Sequence, residues 1–219
     1  MSYLSRARID AADARGRETL RQLARGPYIE HQRLWTLWGT RPDAQRDFLF
    51  RRVEGGTPTY YLLSESPPVM ETPGWQIETK LFQPQLEEGD ELAFDLRANP
   101  VVTRRTEGGA RRHDVVCDAL RTQAGEPIDR ALIERAAGLA WLAKQGSRCG
   151  FRFDEGEVRT GAYRQERVRK DGGGDIRYST LDFSGRLTVT DPEPFRAALR
   201  NGLGKAKAFG CGLLLVRRA

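Results

Sequence analysis

Short alternating runs, punctuated by glycine and proline, divide this 219-residue chain into two successions of strands and helices. In the first, Tyr3–Ile9 alternates loosely as a strand. Arg15–Arg25 follows as a short helix with Leu20, Leu23 and Ala24 on one face, stopped by Gly26. Pro27 suits the first turn of another helix, which runs through His31 and Trp38 to a stop at Gly39. Phe48–Val53 and Thr59–Ser64 flank the turn Glu54–Pro58 and are expected to pair as a hairpin. Trp75–Phe82 reads as a further strand, and Pro84–Gly89 as a connection.

The second succession opens with a strand at Glu91–Arg97, ended by Asn99-Pro100. Ile128–Lys144 is a helix with Ala131, Leu132, Arg135, Leu139 and Leu142 at helical spacing and Gly146 as its stop. Strands are expected at Phe151–Phe153, around Val158–Val168 and over Leu181–Val189. Asp191, Pro192 and Pro194 open a helix that runs to about Arg200, and Gly212–Val216 closes the chain as a strand. Each succession approximates strand, helix, hairpin, helix, strand, although the second helix of the first is only weakly marked. The expected fold class is therefore α+β, with two tandem ferredoxin-like (RRM-like) domains over residues 1–92 and 93–219. No sequence repeat relates them, so the duplication is one of structure.

Composition sets the broad class. Hydrophobic residues at 39% and charged residues at 30% suit a folded chain rather than a disordered one. No run approaches the ~18 apolar residues of a membrane span, and Met1–Asp10 carries no signal-peptide block, so a soluble, cytoplasmic protein is expected. Cys117, Cys149 and Cys211 lie far apart without a C-x-x-C pair, which argues against a zinc ribbon and a disulfide framework.

The charge is unevenly placed. Residues 1–92 hold 12 basic and 14 acidic side chains; residues 93–219 hold 24 and 16. GC-rich coding accounts for part of the arginine excess (only five of 36 basic residues are Lys), but it does not explain a net of −2 beside a net of +8. The basic half suits a polyanion. Its charge falls in two clusters. Arg97, Arg104, Arg105, Arg111 and Arg112 share a Gly-containing segment. Arg159, Arg164, Arg167, Arg169, Lys170 and Arg177 surround the turn Asp171–Asp175. Either cluster reads equally as a solvated loop on charge alone.

Of two histidines, His31 shares a helix with Tyr28 three residues before it, which puts imidazole and phenol on adjacent turns of one face. The ordinary reading of such a histidine is a satisfied structural residue. His113, among Arg111, Arg112 and Asp114, reads as a surface residue. The stretch Gly202–Leu214 combines four glycines with Lys205 and Lys207, a composition that suits close approach to phosphate. Leu199 and Ala206 stand where a P-loop needs glycine and Ser or Thr, so nucleotide hydrolysis is unsupported, and a Gly-rich bend is the plain alternative. With no clustered ligand set, no metal site is expected.

Several motifs then fall in a meaningful order. They are Tyr3-Leu4-Ser5, Pro27-Tyr28-x-x-His31 with Leu34-Trp35, Arg41-Pro42-Asp43-Ala44-x-Arg46-Asp47-Phe48-Leu49-Phe50 and Phe94-x-Leu96-Arg97-Ala98-Asn99-Pro100. Ala140-Trp141-Leu142, Arg169-Lys170-Asp171-Gly172, Phe183-x-Gly185-x-Leu187 and Gly202-x-Gly204-x-x-Lys207-x-x-Gly210-x-Gly212-Leu213-Leu214 complete the series. In these motifs the chain resembles the CasE family of RAMP proteins, the CRISPR repeat-cleaving endoribonucleases of the type I-E Cascade complex.

The resemblance implies two ferredoxin-like domains and a cut at the base of the repeat stem-loop that needs neither metal nor cofactor. The RNA's own 2′-hydroxyl attacks phosphorus, leaving a 2′,3′-cyclic phosphate and a 5′-hydroxyl. It makes His31 the general acid/base, since an unperturbed pKa near ~6.5 serves both directions at neutral pH. It gives Tyr28 the scissile phosphate, and Lys207 with nearby glycine amides the developing charge. By the same analogy Arg167, Arg169 and Lys170 dock a hairpin on the RNA stem, supported by Arg97, Arg104, Arg105, Arg111 and Arg164. Lys205, Gly204, Gly210 and Gly212 are further expected RNA contacts. The Gly172-Gly173-Gly174 turn is longer than the family pattern. The expected partners are the repeat or crRNA stem-loop and other Cascade subunits, with a monomer outside the complex and no membrane. Two alternatives stay open: a non-catalytic RNA-binding subunit of this architecture and a DNA-binding regulator, the latter lacking a helix-turn-helix.

Overall fold

The alternation over Tyr3–Ile9 becomes strand β1, which buries Ser5, Ala7 and Ile9 and turns Arg6 and Arg8 to solvent. The computed structural model describes residues 1–39, 48–53, 55–106, 109–122, 129–170 and 173–219. Arg41–Asp47 of the R-P-D-A motif, Glu107, Ile128 and the turn residues Asp171 and Gly172 lie outside them. By their contacts the residues form two units. The first comprises Met1–Pro84, Arg167–Ile176 and Lys207–Gly210, and the second Gln85–Glu166, Arg177–Ala206 and Cys211–Ala219.

In the first unit, helix α1 (Ala14–Leu23) starts at Asp13, whose carboxylate accepts from the N–H groups of Arg15 and Gly16 at 2.7 and 3.2 Å. Helix α2 (Pro27–Trp35) has proline in its first turn and tightens into a 3₁₀ turn over Thr36–Trp38. Strands β2 (Phe48–Val53), β3 (Thr59–Ser64) and β4 (Trp75–Leu81) join β1 in the antiparallel order β2-β3-β1-β4, the ferredoxin-like order. Beneath the helices Ile9, Leu34, Phe50, Tyr60 and Leu62 form a core that is at most 1% exposed. The weakly marked second helix is absent: residues 65–74 carry turns instead. Pro67, Pro68 and Pro73 withhold amide donors. The segment is tied down by Val69 N–H to Leu37 O at 2.8 Å and Trp38 Nε1–H to Ser66 O at 2.9 Å.

The second unit begins with β5 (Glu91–Ala98), hairpin strands β6 (Val101–Thr106) and β7 (Gly109–Asp114), and helix α3 (Val115–Thr122). Helix α4 (Arg130–Cys149), β8 (Phe151–Arg152), β9 (Arg159–Lys170), β10 (Gly173–Val189), α5 (Pro192–Asn201) and β11 (Leu214–Arg218) follow, the end of β9 from Arg167 and the start of β10 to Ile176 being counted with the first unit. The sheet order is β11-β5-β10-β8, with β9 paired to β10. Without the β6–β7 hairpin and α3, this is again strand, helix, strand pair, helix, strand in ferredoxin-like order.

Several boundaries differ from the sequence reading. Helix α4 passes through Gly146 and ends at Gly150 in the left-handed region. Gly146 stays in the helix because a Cβ there would lie 2.5 Å from Phe151 O; it serves close packing, not termination. Strand β10 begins at Gly173 rather than Leu181, since the residues before Leu181 pair with β9 along a hairpin. The last strand starts at Leu214, because Gly212 is held in a left-handed bend at φ +94°. Residues 92 and 93 both lie within β5, which pairs with β10 and β11.

Candidate nucleic-acid-processing site

Helix α2 offers its sheet a buried face of only two residues, Glu30 and Leu34, one turn apart. The neighbouring face carries Tyr28 and His31, both half-buried. The His31 ring stacks on Phe48 at 5.9 Å and 20°, with Trp35 at 5.8 Å and Phe50 at 6.5 Å. Its Nε2 is shielded from solvent. Trp38 stacks on the same Phe48 at 4.5 Å, so the stripe beyond His31 does run into an aromatic cluster.

Beneath this helix the Glu30 carboxylate accepts from Tyr60 O–H at 2.7 Å and from Arg52 Nη1–H at 3.0 Å. Burial, then the charge of Glu30, pushes the Tyr60 phenol far above its usual range, so it remains a donor. This trio was not singled out in the sequence. Its one signal is a carboxylate four residues before Leu34, on what becomes the buried face.

The residues of the glycine-rich C-terminal stretch fall in different units. Lys207, half-buried, begins the 3₁₀ turn Lys207–Phe209, which belongs to the first unit and packs on α2 and β2. Gly210 follows it there. Lys205, exposed, lies in the second unit with Gly204 and Gly212. Gly204 backs onto Trp141, whose Cζ2 would lie 3.1 Å from an added Cβ. The Gly212 amide donates to Arg97 O at 2.7 Å, which commits it to the fold.

The basic residues also separate by environment. Arg97 makes a two-pronged pair with Asp182, its cross-strand partner, through Nε–Oδ1 and Nη2–Oδ2 at 2.8 Å each; its side chain is 16% exposed. It is a residue of the sheet. Arg104, Arg105, Arg111 and Arg112 lie exposed on the β6–β7 hairpin, with Arg104 directly opposite Arg111. Such a like-charge pair is destabilising. Asp118 of α3 accepts from Arg104 Nη2–H at 2.5 Å and neutralises half of it. His113 is half-buried on the same hairpin. Arg164 is exposed on β9, and Arg167 Nε donates to Asp175 across the β9–β10 hairpin at 2.6 Å. Arg169 and Lys170 end β9.

The hairpin is fastened by a second group that was not singled out. Asp114, which ends β7, accepts from Cys117 N–H at 2.7 Å, as a helix N-cap does, and from Tyr163 O–H at 3.0 Å and Ser179 O–H. Asn99 Nδ2–H donates to Ser179 O at 2.8 Å. A carboxylate just before the helical run Val115–Thr122 was the available signal.

Among the described residues no helix is long and apolar enough to cross a membrane. The family described as "CRISPR associated protein" matches residues 2–218. The chain is 34% identical to the CRISPR system Cascade subunit CasE of Escherichia coli strain K12, over 89% of this chain and 93% of that protein. It is 31% identical to the CRISPR-associated endoribonuclease Cse3 of Thermus thermophilus, over 91% and 93% of the two chains. Thermus thermophilus Cse3 bound to an RNA representing a pre-cleavage complex superimposes with a TM-score of 0.74 at 26% identity, covering 99% of this chain and 98% of that one.

Proposed function

This chain belongs to the CRISPR associated protein family, and on that premise we propose that it is the endoribonuclease that matures CRISPR RNA. It cuts the repeat at the base of its stem-loop by attack of the 2′-hydroxyl on the adjacent phosphorus, without a metal ion. The 2′-oxygen loses its proton, the phosphorus–oxygen bond to the 5′ leaving group breaks, and that oxygen gains a proton. His31 is the general acid/base of this exchange. Tyr28 positions the scissile phosphate, and Lys207 stabilises the charge that develops on it.

The observation that carries this reading is the company of His31. Tyr28 shares its helix, and Lys207 comes from far along the chain to pack, through its 3₁₀ turn, on that helix within the same unit. The relatives named as a Cascade subunit and an endoribonuclease support it. The exposed arginines of the two hairpins, Arg104, Arg105, Arg111, Arg164 and Arg167, together with Arg169 and Lys170, grip the stem through phosphate contacts, as an A-form duplex requires. Lys205 and the Gly210 bend supply further backbone contacts, while Arg97, Gly204 and Gly212 act by holding the second unit's fold. The protein keeps its hairpin product, joins the other Cascade subunits, is a monomer outside that complex, and works in the cytoplasm.

The shielding of His31 Nε2 favours a second reading, an RNA-binding subunit that does not cut. Incubating stem-loop repeat RNA with the protein in EDTA decides between them. Cleavage is expected at one phosphate, giving a 2′,3′-cyclic phosphate and a 5′-hydroxyl. A 2′-deoxy residue before that phosphate is expected to block cutting and leave binding intact. Tight binding with no cut RNA would establish the second reading.

A further inference from the structure

We propose that Glu30 is a positioning residue for His31 and Tyr28, acting through Tyr60 and Arg52; its purpose in cleavage rests on the reading above. Helix α2 has nine residues, fewer than the roughly 12–15 at which an isolated helix begins to persist in water. Its setting on the sheet is therefore fixed by what it packs there: Glu30 and Leu34, which are buried, and Trp35, which packs partly buried against the core. Leu34 supplies contact without direction. Glu30 supplies hydrogen bonds, which are directional.

The two donors are themselves aligned. Arg52 of β2 and Tyr60 of β3 are direct partners in the sheet register, and both reach the one carboxylate oxygen of Glu30. The carboxylate thus ties α2 to two adjacent strands. Successive helical residues are about 100° apart, so Glu30 sits in the chain between Tyr28 and His31 and its direction sets theirs. A buried carboxylate is costly unless paired, and a leucine at this position would pack without that cost. What the carboxylate adds is a fixed azimuth and depth for the helix.

The fixed helix in turn sets the His31 ring against Phe48, Trp35 and Phe50. That setting is readable without any RNA, because ring currents from three aromatic neighbours make the imidazole resonances sensitive to small rotations. The chain has two histidines, so their spectrum is simple to assign.

The experiment combines imidazole NMR with cleavage of stem-loop repeat RNA by wild type, Tyr60→Phe, Glu30→Gln, Glu30→Ala and His31→Ala. Tyr60→Phe breaks the tie from the sheet side and keeps the ring in the core, so it remains informative should Glu30→Ala fail to fold. It is expected to move the His31 resonances and leave those of His113 in place. Single-turnover cleavage should fall about 10-fold or more, with the RNA dissociation constant within about twofold of wild type. Glu30→Gln, which still accepts from Tyr60, should recover most of the rate lost in Glu30→Ala. Unmoved His31 resonances and unchanged cleavage in Tyr60→Phe would overturn the role of Glu30 alone. Wild-type cleavage by His31→Ala would remove the functional reading, and the positioning role in cleavage with it.

Discussion

Gly210 lies against the ring of Phe50: a Cβ added to it would sit 3.0 Å from Phe50 Cε2, at a φ of +75°. This close approach holds the end of the Lys207 turn on strand β2, in the unit that carries His31. Gly210→Ala meets both the ring and the cost of a left-handed side chain, about 1–2 kcal/mol. A lower melting temperature and slower cleavage are expected, measured beside Gly161→Ala, whose added Cβ meets nothing within 4 Å. Equal stability of the two variants would contradict the packing argument.

Arg97 and Asp182 are expected to behave as a structural pair. Alanine at either position leaves a partly buried charge without its two-pronged partner, and each should cost about 1–3 kcal/mol in urea unfolding. The double variant should cost less than the sum of the singles. RNA affinity, measured on folded protein, should change less for Arg97→Ala than for Arg111→Ala.

The exposed hairpin arginines act on phosphate in this account, so salt is their assay. The logarithm of RNA affinity should fall linearly with the logarithm of salt concentration. Arg105→Ala and Arg111→Ala should each reduce that slope by about one and weaken binding for any stem sequence. A slope unchanged by both substitutions would place these residues off the RNA.

Asp118 supplies a pH test. The hydrogen bond from Arg104, and then its charge, hold the Asp118 carboxyl below its ordinary 3.8 despite some desolvation. A depressed folded value means the pair contributes fully above 3.8 and loses its contribution as pH falls through the lower folded value. In a carboxyl NMR titration, Arg104→Ala should raise the Asp118 midpoint toward 3.8. An unmoved midpoint would show that Arg104 does not hold this carboxyl.

Regular alternation and strong stops made most elements legible, including β1, α2, β5 and α5. What stayed hidden depended on contacts distant in sequence. Gly146 looked like a helix stop, and only the nearness of Phe151 shows why a helix keeps it. The run before Leu181 alternates Ile176, Tyr178 and Thr180 with polar residues, but it adjoins a glycine-rich turn, and it is pairing with β9 that carries β10 back to Gly173. At the site, His31 and Tyr28 were visible because helical spacing joins them. Lys207 stood in an apparently uniform glycine-rich stretch, and the separation of Lys207 from Lys205 is decided by packing on α2 and on Trp141. Glu30 was passed over because a charge on a helix ordinarily faces water, and its donors lie on two strands.

The most direct test of the central claim is single-turnover cleavage of stem-loop repeat RNA in EDTA by wild type and His31→Ala, with RNA binding measured alongside. The expected result is sequence-specific cutting by wild type, a loss of about 10²-fold or more in the variant, and near-equal binding by both. Equal cutting by the two proteins would contradict the assignment of His31.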